Sequence, residues 1–283
     1  MSSLSIPKTV LTHISKLLRN CLWMKYGSAE QGPALISWEK VCQPKNHGGL
    51  GVLEIHTHNQ ALLMKFLHKF LNKVVTPWVH IIWETYYQNA PPGDKLVGSF
   101  WWKTLLKLIP LYKAHAICQA GQGDTIFFWT DNWGGIPLKA KFPELFSFAI
   151  HKDCTLHSVT NQEDLSTLFH RPLSKQAYQQ LNGVEDMLTS RAQTDSRDIW
   201  KYHWASGQYS SMKMYKRLMG PSTAHSIFQK LWGTSCRLRH KIFGWLLLHD
   251  RINTMNMLLR RNMHLPDSKC ALCSDKVEET LIH

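Results

Sequence analysis

The run NQALLMKFLHKFLNKV, Asn59 to Val74, carries the strongest helical periodicity in the chain: Leu62, Leu63, Phe66, Leu67, Phe70, Leu71 and Val74 fall on one stripe. A helix this apolar on one side must bury that side on a neighbour, which commits the chain to helix-on-helix packing. Asn59 is the expected N-cap. Lys65, His68, Lys69, Asn72 and Lys73 form the other stripe. That row is either spaced to follow a phosphate backbone or is a solvated surface face.

Further helices are expected on both sides. Val10, Leu11, Ile14, Leu17, Leu18, Cys21 and Leu22 recur at helical spacing after Pro7, which suits a first helical position. Ser37 can cap a short helix carrying Trp38, Val41 and Cys42, which Pro44, Gly48 and Gly49 must end. WVHIIWETYY resumes an apolar helical pattern after Thr76-Pro77, and Gln176 to Leu188 is a helical piece in an otherwise mixed stretch. Ser210 or Ser211 caps a helix bearing Met214, Tyr215 and Leu218. LRHKIFGWLLLHDRINTMNMLLRRNM reads as two helices divided by Gly244 and the Asp250 to Thr254 break, with Asn253 or Thr254 capping the second.

Strand signals are few. Short aromatic and β-branched runs flank Gly121-Gln122-Gly123-Asp124, which reads as a hairpin turn; no Gly-Lys-Ser/Thr follows, so this GxG is weak evidence for phosphate binding. A second hairpin is expected around Ser206-Gly207. NAPPGDKLVGS, Asn89 to Ser99, has the composition of a linker.

Lys and Arg total 33 against 20 Asp and Glu, a net charge of +13 with 16 histidines in reserve. That balance favours an anionic partner, nucleic acid or an acidic membrane, over simple solubility. No apolar run approaches the roughly 20 residues of a membrane span, and MSSLSIPKTV lacks the apolar stretch of a signal peptide. The expectation is a soluble intracellular protein of the nucleus or cytoplasm, with no membrane partner.

Seven cysteines are spread through the chain, which does not make a disulfide framework. Cys270 and Cys273 alone are close, and two thiolates three apart on a tight turn can grip one zinc ion. His283 supplies a third ligand, giving C-x2-C-x9-H. Structural zinc wants four ligands; the fourth is in sequence not present here, or His264 or Cys236 substitutes, or the site is open to water. Two ordinary buried thiols are the alternative to zinc.

Catalytic patterns are lacking. Asp131, Asp195, Asp198 and Asp250 are scattered, no Asp-Asp dipeptide occurs, and two-metal polymerase chemistry needs grouped carboxylates. His249-Asp250-Arg251 evokes a triad without any nucleophile motif beside it.

Four blocks together, WEKVCQPKNHGGLGVLEIHTHNQALLMKFL, GQGDTIFFWTDNWGG, SGQYSSMKMYKRL and KIFGWLLLHDRINTMNMLLRRNMHLPDSKCALCSDKVEETLIH, resemble the C-terminal part of plant LINE-type (non-LTR) retrotransposon reverse transcriptases. The last block is similar to the reverse-transcriptase zinc-binding domain. The resemblance implies that Trp38, Cys42, Pro44, Lys45, Gly48, Gly49, Leu50 and Gly51 belong to the thumb and the region just after it. It also implies that Cys270, Cys273 and His283 are three of four zinc ligands. Endonuclease, polymerase and ribonuclease H domains of the family would lie outside this chain.

The fold expected is mainly α, with a helical thumb-like region over 1–90, a connecting region with a β-hairpin over 91–198, and a C-terminal helical zinc-binding module over 199–283. The function expected is non-catalytic binding of RNA or DNA backbone, beside the remainder of a reverse transcriptase. Lys40, Lys45, Lys65, Lys69, Lys73, Arg237, Arg239, Lys241, Arg260 and Arg261 are the candidate contacts. The alternatives are a zinc-dependent protein-interaction module and a degenerate retroelement fragment without activity.

Overall fold

The computed structural model describes residues 3–24, 34–88, 91–93, 95–191, 196–202, 208–221, 223–265, 269–270, 273 and 277–280. In chain order its helices are α1 (Lys8–Trp23), α2 (Trp38–Cys42), α3 (Ile55–Leu71), α4 (Pro77–Tyr86), α5 (Phe100–Leu106), α6 (Ile109–Lys113) and α7 (Leu138–Lys141). There follow α8 (Pro143–Ser147), α9 (Leu156–Thr160), α10 (Lys175–Thr189), α11 (Ser211–Leu218), α12 (Ser226–Gly233), α13 (Leu238–Leu248) and α14 (Met255–Arg260). Strands β1 (Ala116–Gln119) and β2 (Ile199–Tyr202) make a two-stranded antiparallel sheet. The protein is thus mainly α with minor β. No helix among the described residues is long and apolar enough to cross a membrane.

The chain forms two compact units, the first from Met1–Ser5 and Asn59–Tyr215, the second from Ile6–His58 and Lys216–His283. In the first, α3 buries Leu63, Leu67, Phe70 and Leu71 of the expected stripe together with Met64, whereas Leu62 and Phe66 are half-buried and Val74 is exposed beyond the end of the helix. Phe70 stacks on Trp83 at 4.6 Å and meets Trp102 edge-on at 4.5 Å, and the Trp102 indole N–H donates to the Tyr87 hydroxyl at 2.9 Å. Asn59 is not the cap of α3. Glu54 takes that role, accepting the N–H groups of His56 and Thr57 at 3.2 and 2.6 Å, while the buried Asn59 amide donates to the Leu4 carbonyl at 2.9 Å.

The Gly121 turn does not close a local hairpin. β1 pairs with β2, Ala116 opposite Tyr202 and Gln119 opposite Ile199, across a long connection. What holds the turn is Asp198: its carboxylate accepts N–H from Gly121 and Gly123, both at 2.8 Å, and N–H and O–H from Thr125 at 2.9 and 2.7 Å. Burial alone would raise the Asp198 pKa, but these donors outweigh it and hold the carboxyl below its ordinary value. A nest of N–H groups that could cradle an anion is therefore filled from within. The hairpin expected at Ser206-Gly207 lies outside the described residues. Pro91 and Pro92, expected in a linker, are buried.

In the second unit, Ile36, Val41, Phe228 and Trp245 form the core, with Trp38, Leu50, Leu231 and Leu248 packed around it. The Pro44–Gly51 turn docks here. Gly48 has φ +83, and a Cβ on Gly49 would sit 1.9 Å from the Gln43 carbonyl oxygen, so both positions require glycine. The Gly48 carbonyl accepts from the Trp245 indole N–H at 2.8 Å and bonds a His249 ring nitrogen at 2.7 Å. α13 runs through Gly244 without a break, because Gly244 lets Leu231 of α12 come close: an added Cβ would meet Leu231 at 2.8 Å. The division comes after Leu248, with Asp250 at φ 52 and the Thr254 hydroxyl capping α14. α1 keeps its predicted helix but not its predicted burial: Leu11 is buried, whereas Val10, Leu17 and Leu18 are exposed.

Candidate nucleic-acid interface and cysteine knuckle

Positive charge is unevenly divided. The second unit carries 17 Lys and Arg against 8 Asp and Glu, a net +9, where the first has 16 against 12, a net +4. Between Asp198 and Asp250 the sequence holds no acidic residue and eight Lys and Arg. The whole-chain average hides this run, which brings in Lys201, Lys213, Lys216, Arg217 and Lys230, basic residues that helix-by-helix reading missed. Lys213, Lys216, Arg217 and Lys230 are exposed.

The lysine row of α3 is shorter than its spacing suggested. Lys65 holds its amine 4.8 Å from the Phe66 ring centroid, and Lys69 is exposed. Lys73 lies beyond the end of α3 at φ 45, where it pairs with Asp124 and sits 4.6 Å from the Trp83 ring centroid. The carboxylate of Asp124 competes with any phosphate there.

In the second unit, Arg237 stands at the N-cap of α13 and Arg239 in its first turn, both exposed. Lys241 is half-buried and donates to the Trp232 carbonyl at 3.0 Å, while Lys45 lies over the Trp232 ring at 5.1 Å. Trp232 therefore gathers two cations far apart in sequence. Lys40 braces the Pro44–Gly51 turn by donating to the His47 carbonyl at 3.3 Å. Arg260 faces Asp250 at 3.6 Å, and Arg261 donates to the Asn253 side chain at 3.2 Å.

His249-Asp250-Arg251 is occupied by structure. Burial holds the His249 pKa below its ordinary value, with Lys40 and Arg251 acting in the same direction and the Gly48 carbonyl opposing. Asp250 faces Arg260, and Arg251 donates to the Asp250 carbonyl at 2.9 Å. Cys42 is buried, and that burial, with Glu54 nearby, pushes its thiol up to about 11. A protonated thiol at neutral pH is neither ligand nor nucleophile.

Cys270 and Cys273 are half-buried, and the ends of this cysteine knuckle are joined by an antiparallel bridge between Lys269 and Glu278, with the Cys270 N–H donating to the Val277 carbonyl at 2.8 Å. Two thiols close in sequence beside this paired backbone could supply two of the four ligands that a structural zinc takes. His283 lies outside the described residues. Cys236 and His264 are exposed, and no three His, Cys, Asp or Glu gather for a metal among the described residues.

Residues 209–283, which include the knuckle and α13, match the family described as zinc-binding in reverse transcriptase. The chain is related to reverse transcriptases. A provisionally named ribonuclease H protein of Arabidopsis thaliana is 26% identical over 298 residues, covering 99% of this chain and 46% of that protein. The chain thus spans less than half the length of that relative. An uncharacterised mitochondrial protein of the same plant is 26% identical over 102 residues, 35% of this chain and 66% of that protein. No solved structure matches.

Proposed function

We propose that this reverse-transcriptase-related chain is the non-catalytic, nucleic-acid-binding C-terminal portion of a LINE-type element's enzyme. Residues 1–90 would be thumb-like, 91–198 connecting and 199–283 zinc-binding, acting in the nucleus or cytoplasm beside the rest of the polymerase. The supporting observation is the concentration of charge: the unit that contains most of the reverse-transcriptase match carries +9 of the net +13. Phosphate contacts from such a surface set affinity and register without reading sequence. Arg237 and Arg239, exposed together, lead the contacts; Lys45, Lys216, Arg217 and Lys230 of the same unit add to them. Cys270, Cys273 and His283 would hold a structural zinc. The buried carboxylates are already engaged, Asp131 with Lys113 and Asp198 with backbone N–H groups, which agrees with a binding role rather than a catalytic one.

The test is the salt dependence of RNA and DNA binding by the purified chain. Affinity should fall linearly in log–log form, by about 0.9 in slope for each phosphate neutralised on duplex DNA. Arg237→Glu with Arg239→Glu should lower affinity and slope more than Lys65→Glu with Lys69→Glu. No binding at low salt, or binding with a flat slope, would reject the reading.

A further inference from the structure

α13 is apolar on more than the side it buries. Inward, Trp245 is fully buried and Lys241 is tied to the Trp232 carbonyl. On the other side Arg239, Phe243 and Leu247 recur every fourth residue, about 6 Å apart along the axis, and all three are exposed, Phe243 by 57%. His240 is exposed beside them. An aromatic ring more than half in water at the middle of a packed helix adds little to the unit's stability, since the burial that would reward it is missing.

We propose that this stripe is a stacking platform for single-stranded nucleic acid, with an unpaired base on Phe243 and its flanking phosphates on Arg239 and Arg237. The proposal rests on the nucleic-acid reading above and gives it a strand preference. Charge complementarity selects the occupant: Asp198 and Asp250 bracket a run with no acidic residue, so nothing on α13 repels a polyanion. A duplex keeps its bases stacked on one another and offers a phenyl ring nothing to meet, while a single strand can splay a base onto it.

The test compares the full chain and its Phe243→Ala variant in fluorescence anisotropy, with a labelled twelve-nucleotide oligo(U) and a duplex of the same length. Stacking on one ring is worth about 1–3 kcal/mol, so Phe243→Ala should weaken oligo(U) binding roughly 5- to 150-fold. Duplex affinity should change less than twofold, and Phe243→Trp should keep the single-strand affinity. Circular dichroism confirms folding of both variants, which alter only an exposed side chain. Unchanged oligo(U) affinity in Phe243→Ala, or equal losses on both probes, overturns the platform while leaving charge-driven binding intact. A self-association in sedimentation that Phe243→Ala abolishes overturns it in favour of a second copy of the chain. Failure of the unaltered chain to bind either probe rejects the underlying reading instead.

Discussion

Asp198→Asn removes one negative charge and one acceptor from the turn that anchors β1 to β2. The wild-type carboxylate is 4% exposed and accepts four hydrogen bonds of 2.7–2.9 Å. Asparagine keeps one acceptor oxygen. If that oxygen serves Gly121 and Gly123, the new amide nitrogen faces the Thr125 N–H, donor against donor, while the Thr125 hydroxyl can turn to accept. One orphaned buried donor costs about 1–3 kcal/mol, and the two surviving bonds lose their charge assistance, so about 3 kcal/mol is expected in all. Amide exchange at Gly121, Gly123 and Thr125 at pH 7 should therefore speed up by roughly two orders of magnitude, at about 1.4 kcal/mol per tenfold. The pH dependence has a definite sign. The folded pKa of Asp198 is depressed, so its stabilisation is present above the unfolded value of about 3.9 and is lost as pH falls through the lower folded value. The gap between wild type and Asp198→Asn in urea unfolding should shrink in that acid range. Exchange within threefold of wild type at all three amides, or a gap that stays constant into strong acid, would refute the account of the turn.

Lys113→Met should destabilise the first unit by about 3–5 kcal/mol in urea unfolding, because it leaves Asp131, 1% exposed and within 2.8 Å of the lysine through both oxygens, as an uncompensated buried charge. A loss below 1 kcal/mol would show that the pair adds nothing. Alkylation of the native chain at pH 8 should mark the exposed Cys21 and Cys236 and spare the buried Cys42 and Cys118, whose thiols burial holds protonated, with Cys42 resisting up to about pH 11; peptide mass mapping reads this directly. Zinc retained through dialysis should drop to background when Cys270 and Cys273 are both changed to serine. Equal metal in variant and wild type, by elemental mass spectrometry, would remove the knuckle as its site.

Local chemistry was readable where a residue acts on its own neighbours. α3 followed from its apolar stripe, Thr254 caps α14 as a hydroxyl side chain does, and Gly48 and Gly49 stand in the turn that follows α2, where no other residue fits. The same reading failed where the decisive partner is remote or competes closely. Asp198 lies 73 to 77 residues from the amides it binds, so the GxG looked like a self-contained hairpin. Lys73 extended the lysine row by spacing alone, until Asp124, 51 residues on, claimed it. Asn59 is a good cap by type, but Glu54 reaches the first free N–H groups before it. Of the contacts proposed above, Arg237 and Arg239 are suggested by the sequence but Phe243 is not, because its exposure depends on Trp245 turning the other face of α13 inward.

The Gly48 carbonyl, held by Trp245 and His249 some two hundred residues further along the chain, changes where this protein can be cut. The stretch singled out by similarity, 209–283, contains Phe228 and Trp245 but not Ile36, Val41 or the turn that receives them. Expressed alone, it would bring a bare indole and a half-empty core into water, and the residues before Asn59 would be left with nothing to close over. A workable dissection keeps both halves of that clasp and shortens what lies between them.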